Sequence, residues 1–108
     1  MKEISKAEEM VLLAVWRLGD RAYGVTIRSQ VLKDAGKDYT YGTLYGLLRQ
    51  MDRKGYVRKA KAEPLPKKGG RSKAYFKITP SGIRALKEAF ELHHRIWKNI
   101  DELSLSES

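Results

Sequence analysis

Hydrophobic residues recur with the period of a helix in four stretches of this chain, and two short stretches near its middle have a strand pattern. The clearest helical stretch lies between Asp38 and Gly55, where apolar residues at i, i+3, i+4 and i+7 form one stripe. Thr40 or Asp38 can cap the start of this helix, and Gly55 can take the left-handed conformation that ends it. The stripe consists of Leu44, Leu47, Leu48 and Met51.

The opposite face of this helix is polar. It begins with the hydroxyl groups of Thr43 and Tyr45 and ends with the guanidinium groups of Arg49 and Arg53. Hydroxyl groups can reach base edges in a DNA groove, and arginine can hold a phosphate or a guanine. An ordinary amphipathic surface helix has the same pattern, so this helix alone does not establish DNA binding.

A first helix is predicted over residues 5–18. Ser5 and Glu8 have the spacing of a capping box, and Gly19 follows the last apolar turn. Trp16 lies beside the apolar stripe, where it either closes the edge of the core or faces a partner. The stripe consists of Met10, Val11, Ala14, Val15 and Leu18.

A second helix opens at Tyr23-Gly24 and closes at Gly36. Three helices of this length joined by short links form the core of a helix-turn-helix domain. A three-helix bundle without a DNA role would look similar up to this point. In the second helix the pattern places Val25, Ile27, Val31 and Leu32 inward, and Arg28, Gln30 and Lys33 outward.

The pattern changes after Gly55. Residues 56–60 and 74–78 are predicted as short strands, and the segment between them is rich in proline, glycine and lysine, which mark a loop. Strands and loop together predict a β-hairpin, which beside the third helix is the wing of a winged helix. Its tip carries Lys67, Lys68, Arg71 and Lys73 around Gly69-Gly70. A merely flexible exposed turn would have a similar composition.

Thr79-Pro80 begins a last helix, because threonine is a good N-cap and proline is tolerated at the first helical position. The helix is predicted to reach Leu103, a length of about 36 Å at 1.5 Å per residue. Its second half cannot bury its apolar stripe against so small a domain, so we expect it to pack against the same helix of a second copy. The heptad seam consists of Ile83, Leu86, Phe90, His93, Trp97 and Ile100, widened by Ala89, Ile96 and Leu103.

These elements predict an α+β, mainly α fold, namely a winged helix-turn-helix of three helices plus a β-hairpin wing, with a long C-terminal dimerisation helix. The expected boundaries are 1–79 for the DNA-binding domain, 80–103 for the dimerisation helix and 104–108 for a frayed tail. The 108 residues suffice for one domain with a modest core.

Composition narrows the functional classes. The chain has no cysteine, so disulfides and thiolate metal sites are excluded. No apolar run approaches the roughly 18 residues of a membrane span, and the N-terminus is too charged for a secretory signal. We therefore expect a cytoplasmic protein. The sequence contains no nucleophile–base set and no phosphate-loop motif, which gives no case for an enzyme or a bound cofactor.

The positive charge is concentrated in one segment. Between Arg49 and Lys77 there are eleven Lys or Arg and two Asp or Glu, so this segment accounts for the whole net charge of +9. Such a segment is the electrostatic footprint of a polyanion-binding surface. Charge kept only for solubility would be scattered along the chain.

Three blocks of the sequence resemble the PadR family of bacterial and archaeal transcriptional regulators, over about residues 8–90. They are Ala22-Tyr23-Gly24 with Ile27; Thr40-Tyr41-Gly42-Thr43-Leu44-Tyr45 with Leu48, Met51 and Gly55-Tyr56-Val57; and Gly69-Gly70-Arg71-Ser72-Lys73-Ala74-Tyr75-Phe76-Lys77-Ile78-Thr79 with Gly82 and Ala85-Leu86. The family usually has proline after the Leu-Tyr pair, where this chain has Gly46. Glycine there costs about 1 kcal/mol of helix propensity relative to alanine.

The resemblance implies a homodimeric repressor that binds a palindromic operator in double-stranded DNA. The single C-terminal helix is similar to that of the short form of the family. Some relatives bind flat aromatic molecules in a pore between the protomers, lined by a tryptophan of the last helix, and Trp97 is the position that could match it.

The candidate DNA contacts lie on the third helix and the wing. Tyr41 and Thr43 can reach base edges, whereas Thr40 and Tyr45 are expected to hold phosphates. The wing Lys and Arg side chains either neutralise backbone charge or enter the minor groove. Packing on the domain is an equally good role for Tyr45. The full set is Thr40, Tyr41, Thr43, Tyr45, Arg49, Lys67, Lys68, Arg71 and Lys73.

Aromatic residues of the last helix are candidates for two roles. Trp97 and Phe90 could stack on a planar effector, with Trp16 as a further candidate, although such residues are more often dimer core. His93 could fix the helix register, sense pH or stay hydrated at the edge, and His93-His94 has no known metal spacing. The expected dimer interface is Phe90, His93, Ile96, Trp97 and Ile100.

Two other functions remain open on the sequence alone. An RNA-binding winged helix would stack single-stranded bases on aromatic side chains, for which Tyr56 and Tyr75 are the candidates in the basic segment. A protein-interaction module would dock an acidic partner and leave no footprint on DNA.

Overall fold

The computed structural model describes residues 3–61 and 74–106. In order, its elements are α1 (Lys6–Leu18), a 3₁₀ turn (Gly19–Arg21), α2 (Gly24–Ala35), α3 (Tyr41–Arg53), β1 (Val57–Lys61), β2 (Ala74–Ile78), α4 (Pro80–Ile96) and α5 (Glu102–Ser106). The two strands pair antiparallel, with Val57 opposite Ile78 and Lys61 opposite Ala74. This arrangement confirms the predicted winged helix-turn-helix.

Three helix starts follow the predicted local chemistry. The Ser5 hydroxyl accepts from the N–H of Glu8, and the Glu8 carboxylate accepts from the N–H of Ser5 at 2.9 Å, which completes the capping box. Thr40, rather than Asp38, caps α3, and Thr79 caps α4. These caps satisfy backbone donors that the first turn of a helix otherwise leaves unpaired.

The core lies between the first three helices and the wing. Leu44, Leu48 and Met51 of α3 are buried and Leu47 is half-buried, as predicted. From the wing, Val57 and Phe76 enter the same core. The chain before α2 extends the hairpin: the N–H of Phe76 donates to the carbonyl of Ala22 at 2.9 Å, next to an antiparallel bridge between residues 23 and 75.

The predicted inward set of α2 is half wrong. Ile27 and Val31 are buried, but Val25 and Leu32 are 56% and 44% exposed. One residue further along a helix lies about 100° around its axis. Because α1 and α3 cover only one side of α2, the stripe they bury is narrow and leaves these two side chains in solvent.

The last helix is shorter than predicted. α4 ends at Ile96, not at Leu103, because Asn99 adopts a left-handed conformation (φ 66°) and the chain turns. Asp101 then starts α5, where its carboxylate accepts from the N–H of Ser104 at 2.8 Å, and this bond lowers the pKa of Asp101. The residues 104–106, expected to fray, belong to α5.

Within the described residues, no helix is both long and apolar enough to cross a membrane.

Candidate nucleic-acid interface

The first turn of α3 presents the predicted base-contacting side chains to solvent. Thr43 is exposed, and the Tyr41 side chain is 43% exposed. The Thr40 hydroxyl is already engaged, because it accepts from the N–H of Thr43 and donates to the Thr43 hydroxyl, both at 3.1 Å. Thr40 therefore shapes the helix start, and Tyr41 and Thr43 are the groups that remain accessible there.

Tyr45 packs on the domain. Its side chain is half-buried beside the core, and its hydroxyl lies against Gly24 at the start of α2, so that a Cβ at Gly24 would overlap it. The rings of Tyr41 and Tyr45 stack with centroids 6.4 Å apart and planes 30° apart. Tyr45 thus supports Tyr41 from behind, which agrees with the packing alternative for this residue.

The later turns of α3 and the base of the wing carry exposed basic side chains. Arg49 and Arg53 on α3 and Arg58 and Lys59 on β1 are all exposed. On β2, the exposed Lys77 lies 4.0 Å from Asp20. The wing residues Lys67, Lys68, Arg71 and Lys73, predicted to contact DNA, lie outside the described residues.

Arg28, which the sequence placed outward on α2, holds the entry to α3. Its Nε donates to the carbonyl of Tyr39 and its terminal nitrogen donates to the carboxylate of Asp38, both at 2.7 Å. Its guanidinium carbon also lies 5.0 Å from the centre of the Tyr41 ring. Periodicity cannot reveal such a role, because the Arg28 partners are ten to thirteen residues away in the chain.

Glu8 holds the other end of α3. Only 2% of it is exposed, and besides closing the capping box its carboxylate accepts from Lys54 at 2.7 Å and from Gln50 at 3.2 Å. Burial raises the pKa of Glu8, but the Lys54 hydrogen bond and charge together with the Ser5 bonds outweigh it, so the net pKa is lowered. The capping-box pattern predicted only the local role of Glu8. Its second role, the contact with Lys54, joins residues 46 positions apart in the sequence.

A second exposed surface lies at the end of α4 and is aromatic. His93 stacks on Trp97 with ring centroids 5.7 Å apart, and Phe90 stacks on His94 at 5.8 Å. Phe90 is 66% exposed, and the cavity beside it is lined by α4 and the turn that follows. Trp16, on α1, is exposed but does not line this cavity. Ile96, Trp97, Ile100 and Leu103 are also exposed.

A groove of about 510 Å³ lies beside this surface, between the start of α1 and α4. Its lining is mixed: Ile4 and Ala89 are apolar, whereas Glu3, Glu9 and Glu88 are acidic. His93 and Ile96 line the groove as well, so it is continuous with the aromatic surface.

Among the described residues no group of three His, Asp or Glu is arranged to hold a metal ion.

Comparison with known proteins identifies this arrangement. The family model described as the transcriptional regulator PadR-like family matches residues 12–88, which is more than half of the chain. The chain belongs to the PadR-like family of transcriptional regulators. A search of curated proteins finds no match for this PadR-like chain.

Solved structures share the fold of this PadR-like chain. A PadR family transcription regulator from Clostridium difficile R20291 is similar at a TM-score of 0.71 and 22% identity, covering 89% of this chain and 94% of its own. A PadR family regulator from Eggerthella lenta DSM 2243 gives 0.67 and 25%, covering 90% and 82%. F93 from STIV, a winged-helix DNA-binding protein, gives 0.67 and 22%, covering 91% and 98%. The family and fold are those of regulators rather than enzymes.

Proposed function

We propose that this PadR-like chain is a homodimeric repressor that binds a palindromic site in double-stranded DNA. The observation that carries the proposal is the polar face of α3: Tyr41 and Thr43 are exposed at its start, and Arg49 and Arg53 are exposed further along it. In a helix-turn-helix, the residues at the start of the recognition helix contact base edges in the major groove. The basic segment that begins at Arg49 supplies affinity through phosphate contacts and counterion release.

Two copies are needed for a palindrome. A dimer with two-fold symmetry can place its two recognition helices about 34 Å apart, one turn of DNA, so that each contacts one half-site. The exposed apolar residues of α4 and the continuous groove beside α1 support pairing through this face, because so many large apolar side chains are rarely left in water. The proposed interface is Phe90, His93, Ile96, Trp97 and Ile100.

The DNA-binding proposal is tested by anisotropy titrations at several salt concentrations, using duplexes selected by the protein from a random library. Thr43→Ala should weaken binding to the selected duplex by about 1–3 kcal/mol and leave random duplexes unaffected. Arg49→Ala should weaken binding to both and reduce the salt slope by about one.

Lys87→Ala, which removes an exposed charge from α4, is the matched control and should bind like the wild type. Wild-type binding that does not fall with salt would contradict the proposal. Stronger competition by single-stranded RNA than by duplex DNA would favour the RNA-binding alternative instead.

Release by a planar aromatic effector is the last part of the proposal. The stacked pairs at Phe90–His94 and His93–Trp97 support it, since flat ligands bind by stacking on such rings. The chain has two tryptophans, so Trp16→Phe leaves Trp97 as the only tryptophan fluorophore. A panel of planar polycyclic compounds should then include one that quenches Trp97 and lowers DNA affinity; quenching without release would contradict the proposal.

A further inference from the structure

We infer that Arg28 is a positioning residue for base recognition: it fixes how Tyr41 and the first turn of α3 are presented to DNA, without itself contacting a phosphate. The inference rests on the proposed DNA binding. It concerns specificity, because the groups that Arg28 holds lie at the end of α3 that enters the groove.

The geometry of Arg28 accounts for this role. A guanidinium group is planar and can donate in several fixed directions, and here one edge is used for the Tyr39 carbonyl and the Asp38 carboxylate, each at 2.7 Å. The same plane lies over the Tyr41 ring at 5.0 Å. One side chain therefore holds three of the four residues from 38 to 41, namely Asp38, Tyr39 and Tyr41.

The start of α3 needs such an external support. Two of the first six residues of α3 are glycines, Gly42 and Gly46, which lower its intrinsic helix propensity. A Cβ at Gly46 would meet nothing within 4 Å, and one at Gly42 only the Thr40 hydroxyl at 3.9 Å, so neither glycine is required by close packing. Each glycine directly follows a tyrosine, and both tyrosines contact α2: the Tyr45 hydroxyl lies against Gly24, and the Tyr41 ring lies under the Arg28 guanidinium. The contacts with α2 therefore set the orientation of the first turn of α3.

Asp38 makes a direct phosphate contact by Arg28 unfavourable. Its carboxylate already pairs with Arg28 at 2.7 Å, and its side chain is 66% exposed, so its negative charge stands in solvent beside the guanidinium. A phosphate approaching Arg28 would have to displace this carboxylate or accept its repulsion. Arg28 and Asp38 together therefore add no net charge to the interface and contribute geometry instead.

The experiment compares Arg28→Lys with Arg17→Lys. Arg17 is a matched control, since its guanidinium also pairs with a carboxylate, that of Asp34 at 3.5 Å, but this partner lies on α2 and not in the segment that leads into α3. Lysine keeps the charge of Arg28 and loses its planar, two-directional donation. Each variant is titrated with the selected duplex and with a random duplex of equal length, at several salt concentrations.

We expect Arg28→Lys to lower the ratio of selected to random affinity about tenfold, the scale of losing one good base contact, with an unchanged salt slope. Amide hydrogen exchange at residues 38–44 of the free protein should also become faster. Arg17→Lys should change neither the ratio nor this exchange. Thermal melting of all variants records whether the fold is retained.

Three results would overturn the inference. An unchanged affinity ratio in Arg28→Lys would show that Arg28 does not position the first turn of α3. In Arg28→Gln, an equal loss on both duplexes with a salt slope lower by about one would show a direct phosphate contact. Unchanged exchange at residues 38–44 would show that α3 needs no support from Arg28. Failure of the wild type to bind any duplex would instead reject the proposed function.

Discussion

At the scale of single residues, Glu8 shows how partners stabilise a buried charge. It is nearly inaccessible to water, yet its pKa is lowered because Lys54 and the Ser5 backbone together outweigh the cost of burial. A buried charge is stable only when its partners satisfy it, so this carboxylate couples the start of α1 to the end of α3. Removing its charge would leave the Lys54 ammonium without its partner.

Glu8→Gln should lower the free energy of unfolding at pH 7 by about 1–3 kcal/mol, the cost of leaving such a group poorly paired. Because the folded pKa lies below the ordinary value of 4.5, the stabilisation is complete above that pH and is lost as pH falls through the folded pKa. The difference between wild type and variant should therefore shrink in acid. Urea unfolding at several pH values measures it.

Glu9→Gln is the control for this prediction. Glu9 pairs with the largely exposed Lys6 at 3.4 Å, one turn away on the same helix, and such surface pairs contribute about 0.2–1 kcal/mol. A pH-independent difference between wild type and Glu8→Gln would show that the charge of Glu8 is not what Lys54 requires.

At the scale of elements, contacts with α1 and α2 stabilise α3 as much as its own sequence does. Its apolar stripe and its cap are local, but Arg28 and Gly24 of α2 fix its start, and Glu8 of α1 fixes its end. A helix that carries two glycines gains its order from such contacts, since most helix stability in proteins comes from packing.

Two glycine substitutions should therefore have opposite signs. Gly46→Ala adds a Cβ that meets nothing within 4 Å and should raise the free energy of unfolding by about 0.5–1 kcal/mol. Gly24→Ala places its Cβ on the Tyr45 hydroxyl and should lower it by about 1–3 kcal/mol. Circular dichroism during urea unfolding measures both. If both variants were stabilised, Tyr45 would not be held against α2.

At the scale of the whole molecule, the chain is elongated, with extents of 60 × 28 × 21 Å. A compact chain of this length has a radius of gyration of about 13 Å, whereas this one has 16.3 Å. Its most exposed large side chains include Phe90, Ile96 and Leu103, all from α4 onward. The proposed dimer would cover these side chains.

Phe90→Ala combined with Trp97→Ala should convert the proposed dimer to monomers, because the pair supplies the two largest aromatic side chains of the proposed interface. Analytical ultracentrifugation over a range of concentrations measures the change. Val25→Ala is the control and should leave the dimer intact. Val25 is an apolar residue on α2 whose exposed fraction, 56%, lies between those of Trp97 (42%) and Phe90 (66%). A double variant that still sediments as a dimer would place the interface elsewhere.

Much of the fold could be predicted because the deciding interactions are local. The caps at Ser5, Thr40 and Thr79 join atoms within three residues, and the strand at 74–78 has the bounds that its pattern predicted. The predicted end of the last helix was wrong because the heptad spacing of apolar residues continues through Trp97 and Ile100, although the helical backbone ends at Ile96. Asn99 and Asp101 carried the local signal for the break, a left-handed stop followed by a new cap.

The features of the candidate site also fall into two groups, those that the sequence predicted and those that only the structure showed. The sequence by itself determined the helix-turn-helix pattern, the face of α3 and the basic segment, because periodicity, capping and charge depend on neighbours along the chain. Only the tertiary structure decided that Val25 and Leu32 face solvent, that Tyr45 packs against Gly24, and that Arg28 and Glu8 hold the two ends of α3. Those outcomes depend on which helix covers which side, and for Glu8 and Lys54 the partners are 46 residues apart, beyond the reach of any local pattern.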